Sequence, residues 1–468
     1  MTGSVGALVE RCAQRYGRTV AVECGGRKIT HREQIGRIRR TGRALLALGL
    51  RQGDRVAVLM ANSPELVDVW FGLAWAGLAV VPLDPVGGPP DHAFRIRDSG
   101  ARAVVHDPVH ADAVTAEHTL DTERLSRLAA AQPDGPGMPA VASTDLFGIY
   151  YTGDETGRPV GAMHTHGTYL AALLGHLADG GLGERDRFAH VAPITHASGM
   201  FVLPTWLRGG TNVLLDRFDL DLFARTAEPI TATMLVPTTL HRLVEHGRPA
   251  ALSTVVCGVA PARCALLLAA RELFGPVVTC LYGLAEAPNQ IAMLGKTDRA
   301  SASLGRPVTI AETRLAEDGE LLVRGPHVSP GYWRRPDLDS GGWLHTGDLV
   351  EEDDQGFLHP VGRKKDLIVS GGYPVFAAPV EEALAAHPAV RQAAVIGIPD
   401  DLWGERVAAV VVADPGSGVS GADLTAWTAE RLGRVRAPKT VEFVASIPRL
   451  ASGQPDKAAL RGNARCGS

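Results

Sequence analysis

The sequence predicts an α/β fold with a large N-terminal domain of mostly parallel sheets wrapped by helices and a small α+β C-terminal domain. Two observations support this prediction. Short apolar segments alternate with amphipathic segments over the first part of the chain, as in sheets whose crossover helices cover both faces. From about residue 301 the alternation gives way to short strands at turn-rich spacing, which indicates a β-rich subdomain.

The first alternation predicts a helix at 29–50 and another at 63–78. "ALLALG" ends the first helix at Gly49, a good C-terminal stop, and Ser63 is a good N-cap for the second. Short apolar runs predict buried strands at 54–60, 79–85 and 101–107. A second alternation within 211–275 predicts strands at 211–216, 232–237 and 252–259. Together they predict parallel sheets.

The remainder of the chain predicts smaller elements. Within the β-rich subdomain, at about 301–362, strands are predicted at 319–325, 342–350 and 356–363. The tail predicts helices at 379–386 and 421–433 and strands at 393–398 and 407–414. We place the main boundary at 362–366, which gives an N-terminal domain of residues 1–362 and a C-terminal domain of residues 363–468.

Composition excludes several classes of function. The chain is 45% hydrophobic and 21% charged, with a net charge of −4, which gives no reason to expect nucleic acid or an anionic membrane as a partner. We find neither a secretory signal nor the roughly 18 to 20 uninterrupted apolar residues of a spanning helix. The six cysteines form no Cys-x-x-Cys pair, which favours free thiols in a reduced cytoplasm over structural zinc.

Short stretches spread over the whole chain carry one resemblance. They include "NSPELVDVWFGLAWAGLAVVPLDP", "YYTGDETGRPVGAMHTH", "APITHASGM", "CGVAPAR", "YGLAE", "GELLVRGPHVSPGYW", "GWLHTGDL", "GRKKDLIVSGG" and "PRLASGQPDKAAL". In this order they resemble the adenylate-forming enzymes, which include acyl-CoA synthetases, peptide-synthetase adenylation domains and luciferases. The resemblance implies a mobile C-terminal domain and two steps. A carboxylate attacks ATP to give an acyl-adenylate and pyrophosphate, and a thiol or other nucleophile then displaces AMP.

The resemblance implies a nucleotide site. In "YGLAE", Tyr282 would stack on adenine beside Gly283, and Glu286 would hold magnesium, a role that suits a hard carboxylate oxygen. In "CGVAPAR", Gly258 and Ala260 would edge the adenine, where small residues allow close backbone approach.

Further positions complete that site and a second one for the thiol of CoA or phosphopantetheine. Asp348 would accept hydrogen bonds from both ribose hydroxyls, and Arg363 would reach the ribose or the α-phosphate. Lys365 falls at the hinge about which the domains exchange the two active sites. His196 matches the family's gate between the thiol tunnel and the acyl pocket, and Trp403 matches a position near the thiol cofactor. Gly371 is a further candidate cofactor-binding position. A satisfied core histidine stays open for His196, and a packing role for Trp403.

The phosphate loop departs from the family. Its pattern is Thr-Ser-Gly-Thr-Thr-Gly-x-Pro-Lys-Gly, whereas residues 152–161 are "TGDETGRPVG". The length is the same, so the nucleotide-binding positions are Thr152, Asp154, Glu155, Thr156 and Gly157. Two hydroxyl donors are lost, at Gly153 and Glu155, two acids have entered, at Asp154 and Glu155, and the lysine has become Val160. A carboxylate about 4 Å from a phosphate charge is repelled by about 1 kcal/mol even in bulk water.

Two more departures point the same way. Gln454 stands where the family lysine binds the attacking carboxylate and the α-phosphate, and a neutral amide cannot supply that charge. Ala285 replaces a threonine of the family's "YG-x-TE", which removes another hydroxyl. Lys457 is a poor substitute, because the family already has a basic residue there.

These departures lead to three hypotheses. The first is an acyl-handling enzyme with lost or weakened adenylation that acts on an acyl-adenylate, rather than ATP, or on an acyl-thioester. The second is a working ATP-dependent ligase with an atypical loop, in which Arg158 replaces the lost lysine. The third is a non-catalytic ligand-binding paralogue. The expected partners are a small carboxylic acid or acyl derivative and, because no carrier domain follows, a separate carrier protein.

Overall fold

The computed structural model describes residues 3–85, 87–153, 159–215, 228–247, 251–258, 262, 264–299, 303–336, 342–449 and 454–466. The chain divides into two compact units. Of the described residues, those within 3–153, 159–313 and 323–344 form the large unit, and those within 314–322 and 345–466 form the small unit. No helix among the described residues is long and apolar enough to cross a membrane.

The described helices are α1 (Val5–Tyr16), α2 (His31–Ala47), α3 (Pro64–Ala76), α4 (Pro89–Ser99), α5 (Thr122–Ala130), α6 (His166–Asp179), α7 (Val202–Leu207), α8 (Pro237–His246), α9 (Cys264–Phe274), α10 (Ala377–Ala385), α11 (Gly421–Leu432) and α12 (Lys457–Cys466). The described strands are β1 (Val20–Cys24), β2 (Arg27–Thr30), β3 (Arg55–Leu59), β4 (Ala79–Pro82), β5 (Ala103–His106), β6 (His118–Asp121), β7 (Leu146–Gly153), β8 (Pro159–Thr165), β9 (Arg187–His190), β10 (Thr211–Leu214), β11 (Ala232–Leu235), β12 (Thr254–Cys257), β13 (Val278–Leu284), β14 (Ala287–Leu294), β15 (Arg306–Pro307), β16 (Glu312–Leu315), β17 (Glu320–Arg324), β18 (Leu344–Glu352), β19 (Leu358–Arg363), β20 (Leu367–Ser370), β21 (Tyr373–Phe376), β22 (Val390–Asp400), β23 (Gly404–Ala413) and β24 (Thr440–Phe443).

Two sheets form the large unit. One has the order β6-β5-β3-β4-β7-β8 and is parallel except for the β7–β8 hairpin. The other has the order β15-β14-β13-β12-β11-β9-β10-β1-β2, with a parallel centre and antiparallel edges. The strands predicted from both apolar alternations lie in these sheets, which confirms the α/β class.

The first two predicted helices are shorter than expected, because their caps define their ends. Residues 29 and 30 belong to β2, and α2 begins after Thr30, whose hydroxyl accepts the Glu33 N–H at 3.3 Å. In turn, the Thr30 N–H donates to the Glu33 carboxylate at 2.8 Å, which completes a capping box. Ser63 caps α3 as predicted, and Gly77 ends it in the left-handed conformation, with φ +72°.

The small unit contains the β-rich segment and the C-terminal elements. Most residues of the β16-β17-β18-β19 sheet belong to it, and the strands predicted in the β-rich subdomain are β17, β18 and β19. A second sheet has the order β21-β20-β23-β22, with β24 beside β23. Val395, Val411 and Leu384 belong to its apolar core, which α10 and α11 help to form. The predicted boundary at 362–366 stays a prediction.

Candidate nucleotide and thiol sites

The β13–β14 hairpin presents three of the predicted nucleotide residues. Tyr282 and Gly283 lie in the last residues of β13, and Tyr282 is half-buried opposite Ala292 of β14. Glu286 lies in the turn that follows, and only 8% of its surface is exposed. The hairpin therefore places an aromatic ring and a largely buried carboxylate four residues apart at one end of the sheet.

The Glu286 carboxylate is held by a residue that the sequence analysis gave no role. The Tyr332 hydroxyl donates to Glu286 Oε1 at 2.8 Å. Burial, and next the Glu286 charge, raises the pKa of Tyr332, so the phenol stays protonated and can donate. Tyr332 belongs to "GELLVRGPHVSPGYW", a stretch that carries the family resemblance, but nothing in the sequence pairs it with Glu286.

Residues 329–333, which we call the anchoring segment, join the hairpin turn to β8. The Ser329 N–H donates to the Glu286 carbonyl at 2.7 Å. At its other end, the Trp333 N–H donates to the Gly161 carbonyl at 2.7 Å, and the Met163 N–H donates to the Gly331 carbonyl at 3.0 Å. The main chain around Glu286 is thereby tied to the strand that leaves the phosphate loop.

The phosphate loop is framed by β7 and β8. Thr152 pairs with Val160 and Gly153 with Pro159, which keeps the two arms of the loop together. Val160, in place of the family lysine, is 4% exposed, so this position is an apolar, buried one. Five predicted positions lie outside the described residues: Asp154, Glu155, Thr156, Gly157 and Ala260. Gly258 is described and buried at the end of β12.

A buried histidine that the sequence analysis missed links β8 to the hairpin turn. His164 Nε2 lies 2.8 Å from the Ala285 carbonyl, which can only accept, so this nitrogen carries the proton. Burial lowers the pKa of His164 to about 4, and the ring is therefore neutral near pH 7. Its neighbours in the sequence, "HTH", gave no signal of this contact.

His196 is not a core histidine. The residue as a whole is exposed and Nδ1 lies 3.0 Å from the Thr195 hydroxyl, although burial of the imidazole lowers its pKa. The buried histidine of this region is His190, whose two ring nitrogens contact the Ser198 hydroxyl at 2.9 Å and the Asn212 side-chain oxygen at 2.7 Å. The exposure of His196 argues against a fully buried core histidine, and its role near the thiol stays a prediction.

The small unit brings the two predicted ribose-side residues together. Asp348 on β18 is directly opposite Arg363 on β19, and Arg363 Nε lies 2.7 Å from Asp348 Oδ1. Asp348 is 7% exposed, and its N–H is fixed by the Thr346 hydroxyl at 3.1 Å. The pair presents a carboxylate and a guanidinium side by side.

The family lysine has no replacement among its neighbours in the chain. Lys457 Nζ lies 2.9 Å from Glu381 Oε1 and 3.2 Å from Asp366 Oδ2, so its charge is already compensated. Gln454 is half-buried just before α12, and Lys365 is exposed in a short helical turn. The structure therefore supports the prediction that Lys457 is a poor substitute.

Gly371 and Trp403 lie together at one edge of the small unit. The Gly371 N–H donates to the Trp403 carbonyl at 2.7 Å, and a Cβ at Gly371 would lie 2.8 Å from the indole ring. Trp403 is nevertheless 39% exposed, and Lys439 Nζ lies 5.2 Å from the centre of its ring. The exposed aromatic face beside a cation argues against a purely packing role for Trp403.

Comparisons with known proteins cover almost the whole chain. The AMP-binding enzyme family matches residues 9–333, and the AMP-binding enzyme C-terminal domain matches residues 379–454. The chain is 37% identical to a feruloyl-CoA synthase of an Amycolatopsis species over 98% of both chains. The ATP-bound structure of MatB from Rhodopseudomonas palustris is 29% identical, with a TM-score of 0.89 over 98% of each chain. The amide bond synthetase McbA from Marinactinospora thermotolerans is 31% identical, with a TM-score of 0.87 over 98% of this chain and 99% of its own.

Proposed function

Since the chain belongs to the AMP-binding enzyme family, we propose that it is a working ATP-dependent ligase that joins a small carboxylic acid to CoA. The main support is the 37% identity to a feruloyl-CoA synthase over almost the full length of both chains. The family match also confirms the resemblance to adenylate-forming enzymes. These comparisons favour a working ligase over the weakened adenylation that Asp154, Glu155, Val160 and Gln454 suggested.

The described residues fit a magnesium ion at the hairpin. Magnesium in nucleotide sites is held by one or two carboxylates together with phosphate oxygens and waters, and Glu286 offers one such carboxylate. In the described part of the chain, the hairpin included, no group of three or more His, Cys, Asp or Glu residues could hold a metal alone. The bound ion would neutralise charge on the phosphates. Tyr282 would stack on the adenine.

In the small unit, the Asp348–Arg363 pair is suited to the ribose of a nucleotide. The Asp348 carboxylate would accept the ribose hydroxyls, while the 2.7 Å contact with Arg363 holds its orientation. Because Val160 and Gln454 supply no charge, the acid's oxygen would attack the α-phosphorus with less cationic support than the family has. In this proposal Arg158, which lies outside the described residues, would supply part of the missing charge, and pyrophosphate would leave.

In the second step the CoA sulfur would attack the carbonyl carbon of the adenylate and release AMP. We place the exposed face of Trp403 against CoA, because an aromatic face beside the Lys439 cation suits a planar base that carries phosphates. The close packing of Gly371 on Trp403 holds the indole in this position.

Trp403→Ala is therefore expected to raise the KM for CoA about tenfold and to leave ATP–pyrophosphate exchange unchanged. The indole would contact CoA only in the second step, so its loss does not touch the first. The matched control is Leu402→Ala, which removes the neighbouring side chain, 82% exposed. An equal rise in KM for both variants would contradict a specific role for Trp403.

The test of the proposed function separates the two steps. ATP–pyrophosphate exchange is measured over a panel of hydroxycinnamic, medium-chain and dicarboxylic acids, and the same acids are then supplied as adenylates with CoA. We expect exchange with at least one acid and formation of its CoA thioester. Activity with adenylates but no exchange would instead support weakened adenylation, and activity with neither would support a ligand-binding paralogue.

An amide-forming enzyme is the second candidate, because the chain is 31% identical to an amide bond synthetase over 98% of its length. In that reaction an amine nitrogen, rather than sulfur, attacks the adenylate carbonyl. The same adenylates are therefore incubated with primary amines in place of CoA. Faster amide than thioester formation would favour this candidate.

A further inference from the structure

We propose that Tyr332 is a positioning residue: its hydroxyl fixes the Glu286 carboxylate in the orientation that the magnesium ion requires. This inference rests on the proposed function, in which Glu286 is the metal ligand. The anchoring segment, residues 329–333, would set where that carboxylate lies relative to the phosphate loop.

The hydrogen bond supplies the orientation. A carboxylate can rotate about its last bond, and a donor at 2.8 Å from Glu286 Oε1 selects one plane for it. A carboxylate has about four lone-pair sites, and the Tyr332 bond occupies one of them. Donors of this kind behind a metal ligand commonly strengthen metal binding 10- to 100-fold.

The main chain supplies the position. The anchoring segment is bonded to the Glu286 carbonyl at one end and to β8 at the other, through Gly161 and Met163. Because β8 leads out of the phosphate loop, one short segment contacts both the proposed metal ligand and the strand beside the phosphates. The segment would therefore fix the position of Glu286 relative to β8.

The segment is itself held firmly. The Ser329 hydroxyl donates to the Gly331 carbonyl at 2.8 Å and accepts the Gly331 N–H at 3.2 Å. The Trp333 indole N–H donates to the Asp98 carbonyl at 3.1 Å, and the Arg55 guanidinium lies 5.4 Å from its ring centre. These contacts fix the position of the Tyr332 main chain, so the phenol approaches Glu286 from a defined direction.

The test measures metal binding directly. Mn²⁺ replaces magnesium, and its affinity is measured by electron paramagnetic resonance with a non-hydrolysable ATP analogue present. Tyr332→Phe is expected to weaken Mn²⁺ binding about tenfold, while turnover of a supplied acyl-adenylate with CoA stays unchanged. The matched control is Tyr16→Phe, which removes a phenol that donates to the Leu207 carbonyl at 3.4 Å in the same unit.

The outcomes separate this inference from the proposed function. Glu286→Gln is the reference for loss of the ligand itself. Mn²⁺ affinity within twofold of wild type in Tyr332→Phe, with a large loss in Glu286→Gln, overturns the role of Tyr332 alone. No loss in Glu286→Gln overturns both. Should Tyr332→Phe fail to fold, Ser329→Ala, which loosens the same segment, is expected to weaken binding three- to fivefold, and unchanged affinity there overturns the inference.

Discussion

Lowering the pH from 6.5 towards 4 is expected to unfold the large unit, because its core holds neutral imidazoles. Burial lowers the pKa of six of its described histidines to about 3 or 4: His31, His164, His166, His176, His190 and His327. In the unfolded chain they titrate near 6.5, so below that pH the unfolded state binds protons that the folded state excludes. The contribution of these neutral imidazoles to the free energy of unfolding is fully present above pH 6.5. It is lost progressively as the pH falls towards the native pKa values.

The expected size of this effect is large. Each such imidazole costs about 1.4 kcal/mol of stability per pH unit between its two pKa values, so six together reach about 8 kcal/mol per unit near pH 5. A typical total stability is about 5 to 15 kcal/mol. Urea unfolding at pH 7, 6, 5.5 and 5, followed by circular dichroism, measures the slope.

One substitution measures the contribution of a single buried histidine to this pH dependence. His31→Phe keeps an aromatic ring against Tyr16 and Trp206, whose ring centres lie 6.0 and 5.8 Å away, and it removes one titrating group. The slope should fall by about 1.4 kcal/mol per pH unit. His241→Gln, in which the native side chain is 63% exposed, is the control and should leave the slope unchanged. If the free energy of unfolding of the wild type changes by no more than about 1.4 kcal/mol per pH unit, the equivalent of one proton, the explanation is refuted.

The second large effect is a gain in activity. Gln454→Lys is expected to raise the rate of ATP–pyrophosphate exchange 10- to 100-fold, because by the family resemblance it would restore a cation where charge develops on the α-phosphate and the attacking carboxylate. Removing one such stabilising group commonly costs 10²- to 10³-fold, and partial recovery is expected because Val160 still leaves the phosphate loop without its lysine.

Two controls accompany this variant. Gln454→Met has a similar length and no charge, and should leave the exchange rate near that of the wild type. Turnover of supplied acyl-adenylates with CoA should not change in either variant, because this step does not use the lysine. Equal exchange rates for Gln454→Lys and Gln454→Met would mean that the missing charge does not limit adenylation.

The sequence predicted those parts of the fold and site that depend on neighbours along the chain. Apolar runs of strand length predicted β3, β4 and β5, because burial of a parallel strand leaves a local pattern. The start of α2 was misplaced by two residues, since Thr30 serves both as the end of β2 and as the helix cap. Single motifs such as "YGLAE" and "HTGDL" likewise identified candidate residues, but they did not predict the distances between these residues or their contacts.

Contacts between distant segments could not be predicted in this way. Tyr332 meets Glu286 across a separation of 46 residues, and His164 meets the Ala285 carbonyl across 121. Such pairs depend on how the sheet edges assemble, and neither partner shows an unusual local pattern. The exposure of His196 was equally hidden, because its apolar neighbours in "THASGM" suggested a core position.

The position of Trp403 also gives the protein an optical reporter. Trp75 and Trp206 are 1% exposed and Trp70 is 3% exposed, whereas Trp403 is 39% exposed. Light emitted by an indole in water is shifted to longer wavelength than light from a buried one, and a soluble quencher reaches it first. A ligand that covers this ring would shift the emission back and shield it. Binding of such a ligand to the small unit could thus be followed by the wavelength of tryptophan emission, with no need to measure turnover.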